Sequence, residues 1–184
     1  MQTIGNSLLH VAIDENGAQL AQLTTADGQF DYLAGLDQHL QLVFPATDAA
    51  NLTTTLAWTV VDKGDARVSL TMIDTDASRV QFPYHFELMV TYAIEGNQLS
   101  ISHYLENNSE QAMPYVLGLN LPVASGFTPQ QQPNQVRLTS EEHELEVVSA
   151  ELQLSVANQV TAVSAAAALA PHTSQTFGLT LTLK

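Results

Sequence analysis

The chain contains no cysteine, and that absence excludes disulfides, thiolate zinc centres and thiol nucleophiles together. Basic residues are nearly as scarce, five against 19 acids, for a formal net charge of −14. Lys63, Arg67, Arg79, Arg137 and Lys184 are scattered and form no patch. Nucleic-acid backbone binding is therefore disfavoured, and phosphorylated or other anionic ligands are disfavoured for the same electrostatic reason. No apolar run approaches the ~18 residues needed to cross a bilayer, so no membrane association is expected. The first residues carry neither a basic n-region nor an apolar h-region, which makes a cytoplasmic location the expectation. Neutral ligands, sugars among them, stay open.

What is present is strand. With 184 residues and 45% hydrophobic content, one domain over residues 1–184 is the simplest organisation, burying roughly two-thirds of the unfolded chain's surface. Leu9, Val11 and Ile13 alternate with polar or smaller residues before Asp14-Glu15-Asn16-Gly17. Leu56, Trp58 and Val60 lead into Asp62-Lys63-Gly64-Asp65, and Val68, Leu70 and Met72 return. Phe177, Leu179, Leu181 and Leu183 close the chain in the same two-residue period. Such spacing from end to end predicts an all-β antiparallel sandwich. Phe127 to Asn134, with Pro129, Pro133 and three glutamines, reads as an exposed irregular loop. Ser164 to Ala170 fits a helix by its alanines or a late strand by its position.

The clearest segment is Phe82 to Pro122. Phe86, Leu88, Val90, Tyr92 and Ile94 alternate, and so do Leu99, Ile101, His103 and Leu105. Between them Glu95-Gly96-Asn97-Gln98 supplies a turn whose Gly and Asn tolerate positive φ. A half-buried hairpin follows.

The motifs around that hairpin resemble the aldose 1-epimerase (galactose mutarotase) superfamily, in its short bacterial branch. They are the opening F-P-Y-H-F of Phe82 to Phe86, the strand end Leu105-Glu106-Asn107-Asn108-Ser109, and Met113-Pro114-Tyr115 running to Gly118-Leu119-Asn120. Ile4 to Leu20, Tyr32-Leu33 and Leu42-Val43-Phe44-Pro45 match the family's earlier strands in order and spacing. The resemblance implies a galactose-mutarotase-like supersandwich and a role in carbohydrate metabolism, with no cofactor.

It also implies a site to look for. Mutarotation needs a general base at the anomeric hydroxyl and a general acid at the ring oxygen, each contributing roughly 10²–10⁴-fold. By resemblance these are a Glu near the carboxy end and a His on the inner sheet, with other His and Arg groups orienting the sugar. The family's H-G-F-x-R segment belongs where this chain has Ala46 to Thr55, with no His or Arg. Its second His aligns with Asn120, which has no usable pKa near neutrality. Its E-P-W-like segment would fall near Thr161 to Ala170, which holds only small, mostly apolar residues. Asn120 is thus the candidate substrate-binding residue, with no catalytic and no metal-ligating residue assigned.

Other titratable groups have structural explanations. His103 sits in the apolar phase of its strand and reads as a hydrogen-bonded core or boundary histidine; His85, His10 and Glu87 read as outward-facing. Glu141-Glu142-His143-Glu144 with Glu146 could hold a divalent ion but reads as a solvated face. Asp74 and Asp76 share a strand face by spacing and read as a strand end or turn. The expected function is weak binding of a neutral carbohydrate on the inner face of the sandwich, with mutarotase catalysis reduced or lost. The alternatives are an active epimerase using substitutes such as His103 or Glu87, and a non-catalytic structural module that forms a homodimer through an exposed sheet edge or face.

Overall fold

A computed structural model describes residues 1–33, 40–45 and 50–184. The amino-terminal strands are β1 (Gln2–Gly5), β2 (Leu9–Asp14) and β3 (Gln19–Thr25), an antiparallel meander. There follow β4 (Gln41–Val43), β5 (Thr59–Lys63), β6 (Arg67–Ile73), the single-turn helix α1 (Asp76–Arg79), β7 (Phe86–Glu95) and β8 (Gln98–Asn107). Next come β9 (Met113–Tyr115), β10 (Gly118–Leu121), β11 (Thr128–Gln132), β12 (Gln135–Thr139) and β13 (Glu144–Val148). The chain ends with β14 (Gln153–Val156), β15 (Val160–Val163), β16 (Ala167–Leu169) and β17 (Ser174–Leu183).

Eight strands form the larger sheet, in the order β11-β12-β13-β17-β8-β7-β6-β5. A four-stranded sheet, β14-β15-β10-β4, and the β1–β3 meander bury their inner faces in one core with it. A bridge between Leu20 and Leu40 links the meander to the start of β4. The result is the antiparallel β-sandwich expected from the alternation. Leu88, Val90 and Tyr92 of β7 and Leu99, Ile101 and Leu105 of β8 are all essentially inaccessible to solvent. Gly96 takes φ 58° in the two-residue turn between those strands, where Glu95 pairs with Gln98.

Two motif segments meet in this core. Phe44 packs on Phe82 and Phe86 with ring centroids 5.9 and 5.2 Å apart, and Phe82 lies 5.8 Å from Phe86. The F-P-Y-H-F and L-V-F-P stretches, distant in sequence, therefore build one aromatic cluster, buried in the favoured edge-on and tilted geometries.

One segment differs from a plain reading of the sequence, and two others take one of the forms that reading left open. Phe127 to Asn134, expected to be irregular, contains β11, every residue of which is exposed. It is an edge strand, where Pro129 is tolerated, and Asn134 at φ 61° turns it into β12. The ambiguous stretch Ser164 to Ala170 carries the strand β16, paired with β9, so tertiary pairing outweighs the helix propensity of alanine. Asp74 and Asp76 sit at a helix start. Thr75 caps α1, its Oγ1 accepting from Ser78 N–H while Ser78 Oγ accepts from Thr75 N–H, at 3.1 and 2.9 Å.

Candidate functional site

Asn120 lies on β10 in the middle of the smaller sheet. Leu119 and Leu121 are buried (1% and 2% exposed), whereas Asn120 is half-exposed on the opposite, outward face. Leu117 and Tyr115 are also buried, but Tyr115 belongs to β9 in another sheet and residues 116–117 lie between the two strands. Of the earlier residues, only Gly118 therefore shares the strand phase of Asn120. The strands to either side hold the same polarity. Asn120 pairs with Gln41 of β4 and Thr161 of β15, and Thr161 pairs with Ser155 of β14. Gln41, Asn120, Thr161 and Ser155 thus form a row of amides and hydroxyls straight across the sheet. Ser155 and Thr161 share a hydrogen bond of 2.5 Å between their hydroxyls. The Asn120 amide has no side-chain hydrogen bond to protein among the described residues.

The next row mixes apolar and polar residues and is uncharged too. Gly118 pairs with Val43 and Val163, and Val163 pairs with Gln153. A Cβ on Gly118 would sit 3.7 Å from Val43 Cβ, ordinary contact, so the glycine is not required by crowding on that side. Beside the row, a depression of ≈ 580 Å³ is lined by Ser155, Thr161 and the β14–β15 turn. Sequence reasoning singled out Asn120 and missed Gln41, Thr161 and Ser155. Their only signal was the polar phase of three- and four-residue strands, and it gains meaning only through long-range pairing.

The titratable groups lie elsewhere. His103 is fully buried on the inner face of the larger sheet, paired with Val90 and Phe177, and neither ring nitrogen has a hydrogen-bond partner. Burial lowers its pKa to about 4. The Phe177 backbone beside the ring favours the charged form slightly but makes no bond of acceptable geometry. Glu87 belongs to the same larger sheet and accepts from Thr71 Oγ1 at 2.7 Å. Neither residue therefore converges with Asn120.

His85 is exposed, its Nδ1 3.1 Å from an Asp74 carboxylate oxygen, and Arg79 pairs with both Asp74 and Asp76. Phe86 N–H also donates to Asp74, at 2.9 Å. These charges tie α1 to the start of β7. In the acidic cluster, Glu144 and Glu146 face Arg137 at 3.6 and 2.9 Å, and Lys184 reaches Glu144 at 3.0 Å. The Arg137 guanidinium holds the Glu146 carboxyl below its usual range. His143 stacks on Phe30, with ring centroids 3.8 Å apart. His10 is exposed on β2.

Comparison with known proteins agrees with this architecture. The family model described as aldose 1-epimerase matches residues 49–173, well over half of the chain. The chain belongs to the aldose 1-epimerase family. No curated protein matches the sequence. Among solved structures, a galactose mutarotase-like protein from Lactobacillus casei ATCC 334 superimposes with a TM-score of 0.82 at 15% identity, covering 100% of both chains. The galactose mutarotase related enzyme from Lactobacillus acidophilus gives 0.80 at 14% identity, covering 100% of this chain and 97% of that one. The GalM/aldose epimerase homologue from C. elegans gives 0.71 at 13% identity, covering 99% and 98%. At such identities the likeness shows the fold. In this member of the family, Ala46 to Ala49 of the segment expected to carry H-G-F-x-R lie outside the described residues. The rest of that segment clamps the end of β4: Asn51 Oδ1 accepts from Phe44 N–H at 3.1 Å, and Thr53 Oγ1 donates to Leu42 O at 2.6 Å.

Proposed function

We propose that this aldose 1-epimerase family member recognises a neutral carbohydrate on the outward face of its smaller sheet, around Asn120, and does not catalyse mutarotation. The observation that carries the reading is the row Gln41, Asn120, Thr161 and Ser155. Amides and hydroxyls match the donors and acceptors of sugar hydroxyls, and nothing in the row titrates near neutrality. A proton shuttle needs a group that does. The net charge of −14 favours an uncharged ligand over a phosphorylated one. The epimerase alternative loses support because His103 faces the core and Glu87 lies in the other sheet.

An open sheet face buries less of a ligand than the 70–90% typical of small-molecule pockets, so affinity for a single sugar is weak. Saturation-transfer NMR against a panel of monosaccharides and disaccharides tests the reading. Signal for at least one sugar, lost in Asn120→Ala without a change in melting temperature, is expected. No signal across the panel, or full signal in the variant, overturns it.

A further inference from the structure

A second hollow adjoins the β14–β15 turn. It opens where β10 leaves the smaller sheet, measures ≈ 200 Å³, and is lined by Val123, Ser125, Phe127 and Leu138 together with Asn158 and Gln159. The depression beside Thr161 and Ser155 is lined by the same Val156, Ala157, Asn158 and Gln159 that line the hollow. The two recesses therefore share one wall, the tip of a hairpin. No ionisable side chain lines either of them.

Phe127 gives the inner hollow its character. Its ring is half-buried and braced by Tyr32 and Phe30, with centroids 6.3 and 6.1 Å away. A ring held in this way presents a rigid apolar surface at little entropic cost. The same hollow is lined by two amides, Asn158 and Gln159, whose side chains make no hydrogen bond to protein among the described residues. A flat apolar face and free amides in one hollow suit a pyranose, whose ring presents C–H groups on its faces and hydroxyls around its edge. At ≈ 200 Å³ the hollow is smaller than the roughly 300–1,000 Å³ of typical small-ligand sites, so it holds part of a ligand.

We infer that the ligand is an oligosaccharide of at least two units that straddles the β14–β15 turn, one ring against Phe127 and the next beside Thr161 and Ser155. The inference rests on the carbohydrate reading above and extends it from a single sugar to a chain. Each recess alone is shallow, but joining two weak contacts makes the second one intramolecular, which raises affinity without new chemistry.

The test is isothermal titration of the intact protein with glucose, maltose, maltotriose, cellobiose, cellotriose, galactose and lactose. At least one oligosaccharide should bind tenfold or more tightly than its monosaccharide. Phe127→Leu, which keeps apolar contact with Phe30 and Tyr32 but removes the flat ring, should cut oligosaccharide affinity at least fivefold and leave monosaccharide binding beside Asn120 unchanged. Should that variant melt early, Asn158→Ala combined with Gln159→Ala, in the exposed turn, should lower oligosaccharide affinity to the same extent. Equal affinity for one and several units, or an oligosaccharide preference untouched by both variants, overturns the inference while the Asn120 site stands. Absence of binding by every sugar overturns both.

Discussion

The side-chain amide of Asn107 donates to the carbonyl of Leu169, 2.9 Å away and 62 residues later in the chain. The same Nδ2 reaches the carbonyls of Gln111 at 2.8 Å and Ala170 at 3.2 Å, and Oδ1 accepts from Ser109 N–H at 2.9 Å. Asn107 is fully buried. It closes the loop after β8 and holds β16 to it, which explains the asparagine in the Leu105 to Ser109 motif.

Asn107→Ala should therefore be among the most damaging single substitutions. It removes the amide partner of the buried Leu169 carbonyl and of the buried Ser109 N–H, each loss costing about 1–3 kcal/mol. Urea unfolding should show a loss of at least ~3 kcal/mol, and a loss under ~1 kcal/mol would show that water replaces the amide.

His103 should make the fold acid-sensitive. Its folded pKa, about 4, lies below the unfolded value of 6.5, so between those values the unfolded chain binds the extra proton. Its contribution is intact above pH 6.5 and is lost as pH falls through about 4, up to ~3 kcal/mol by the linkage relation. The buried polar and charged residues described include no carboxylate, lysine or arginine that could stabilise the imidazolium. Urea midpoints at pH 7, 5.5 and 4 check this in parallel with His103→Leu. The variant should match or exceed the parent at pH 7, because two unpartnered nitrogens are removed, and should lose less stability at pH 4. Identical pH profiles would show that His103 is solvated after all.

The protein should not accelerate anomer interconversion. With Asn120 where a proton-transferring histidine is expected and no titratable residue in its row of Gln41, Thr161 and Ser155, little beyond solvent catalysis should remain. Polarimetry of fresh α-glucose or α-galactose decides it; a rate proportional to protein concentration would refute the claim.

Chelators should leave the melting temperature unchanged. Glu144 and Glu146 are already neutralised by Arg137 and Lys184, so a bound cation would have to compete with existing partners. A fall of several degrees on adding EDTA would assign metal to this cluster.

The strands with strict two-residue alternation, β2, β6, β7, β8 and β17, were legible in the amino-acid order, because a face that packs in a core must repeat every second residue. The turn at Gly96 and the polar identity of position 120 were legible for similarly local reasons. So was the burial of His103, which shares its phase with Ile101 and Leu105. The tertiary structure alone decided the rest. Ala167 to Leu169 became strand because β9 was there to pair with it, and Thr128 to Gln132 because β12 offered an edge. The polar row around Asn120 draws on four strands from residues 41 to 161. Which side chains stand side by side across a sheet depends on long-range register, and no local pattern encodes that.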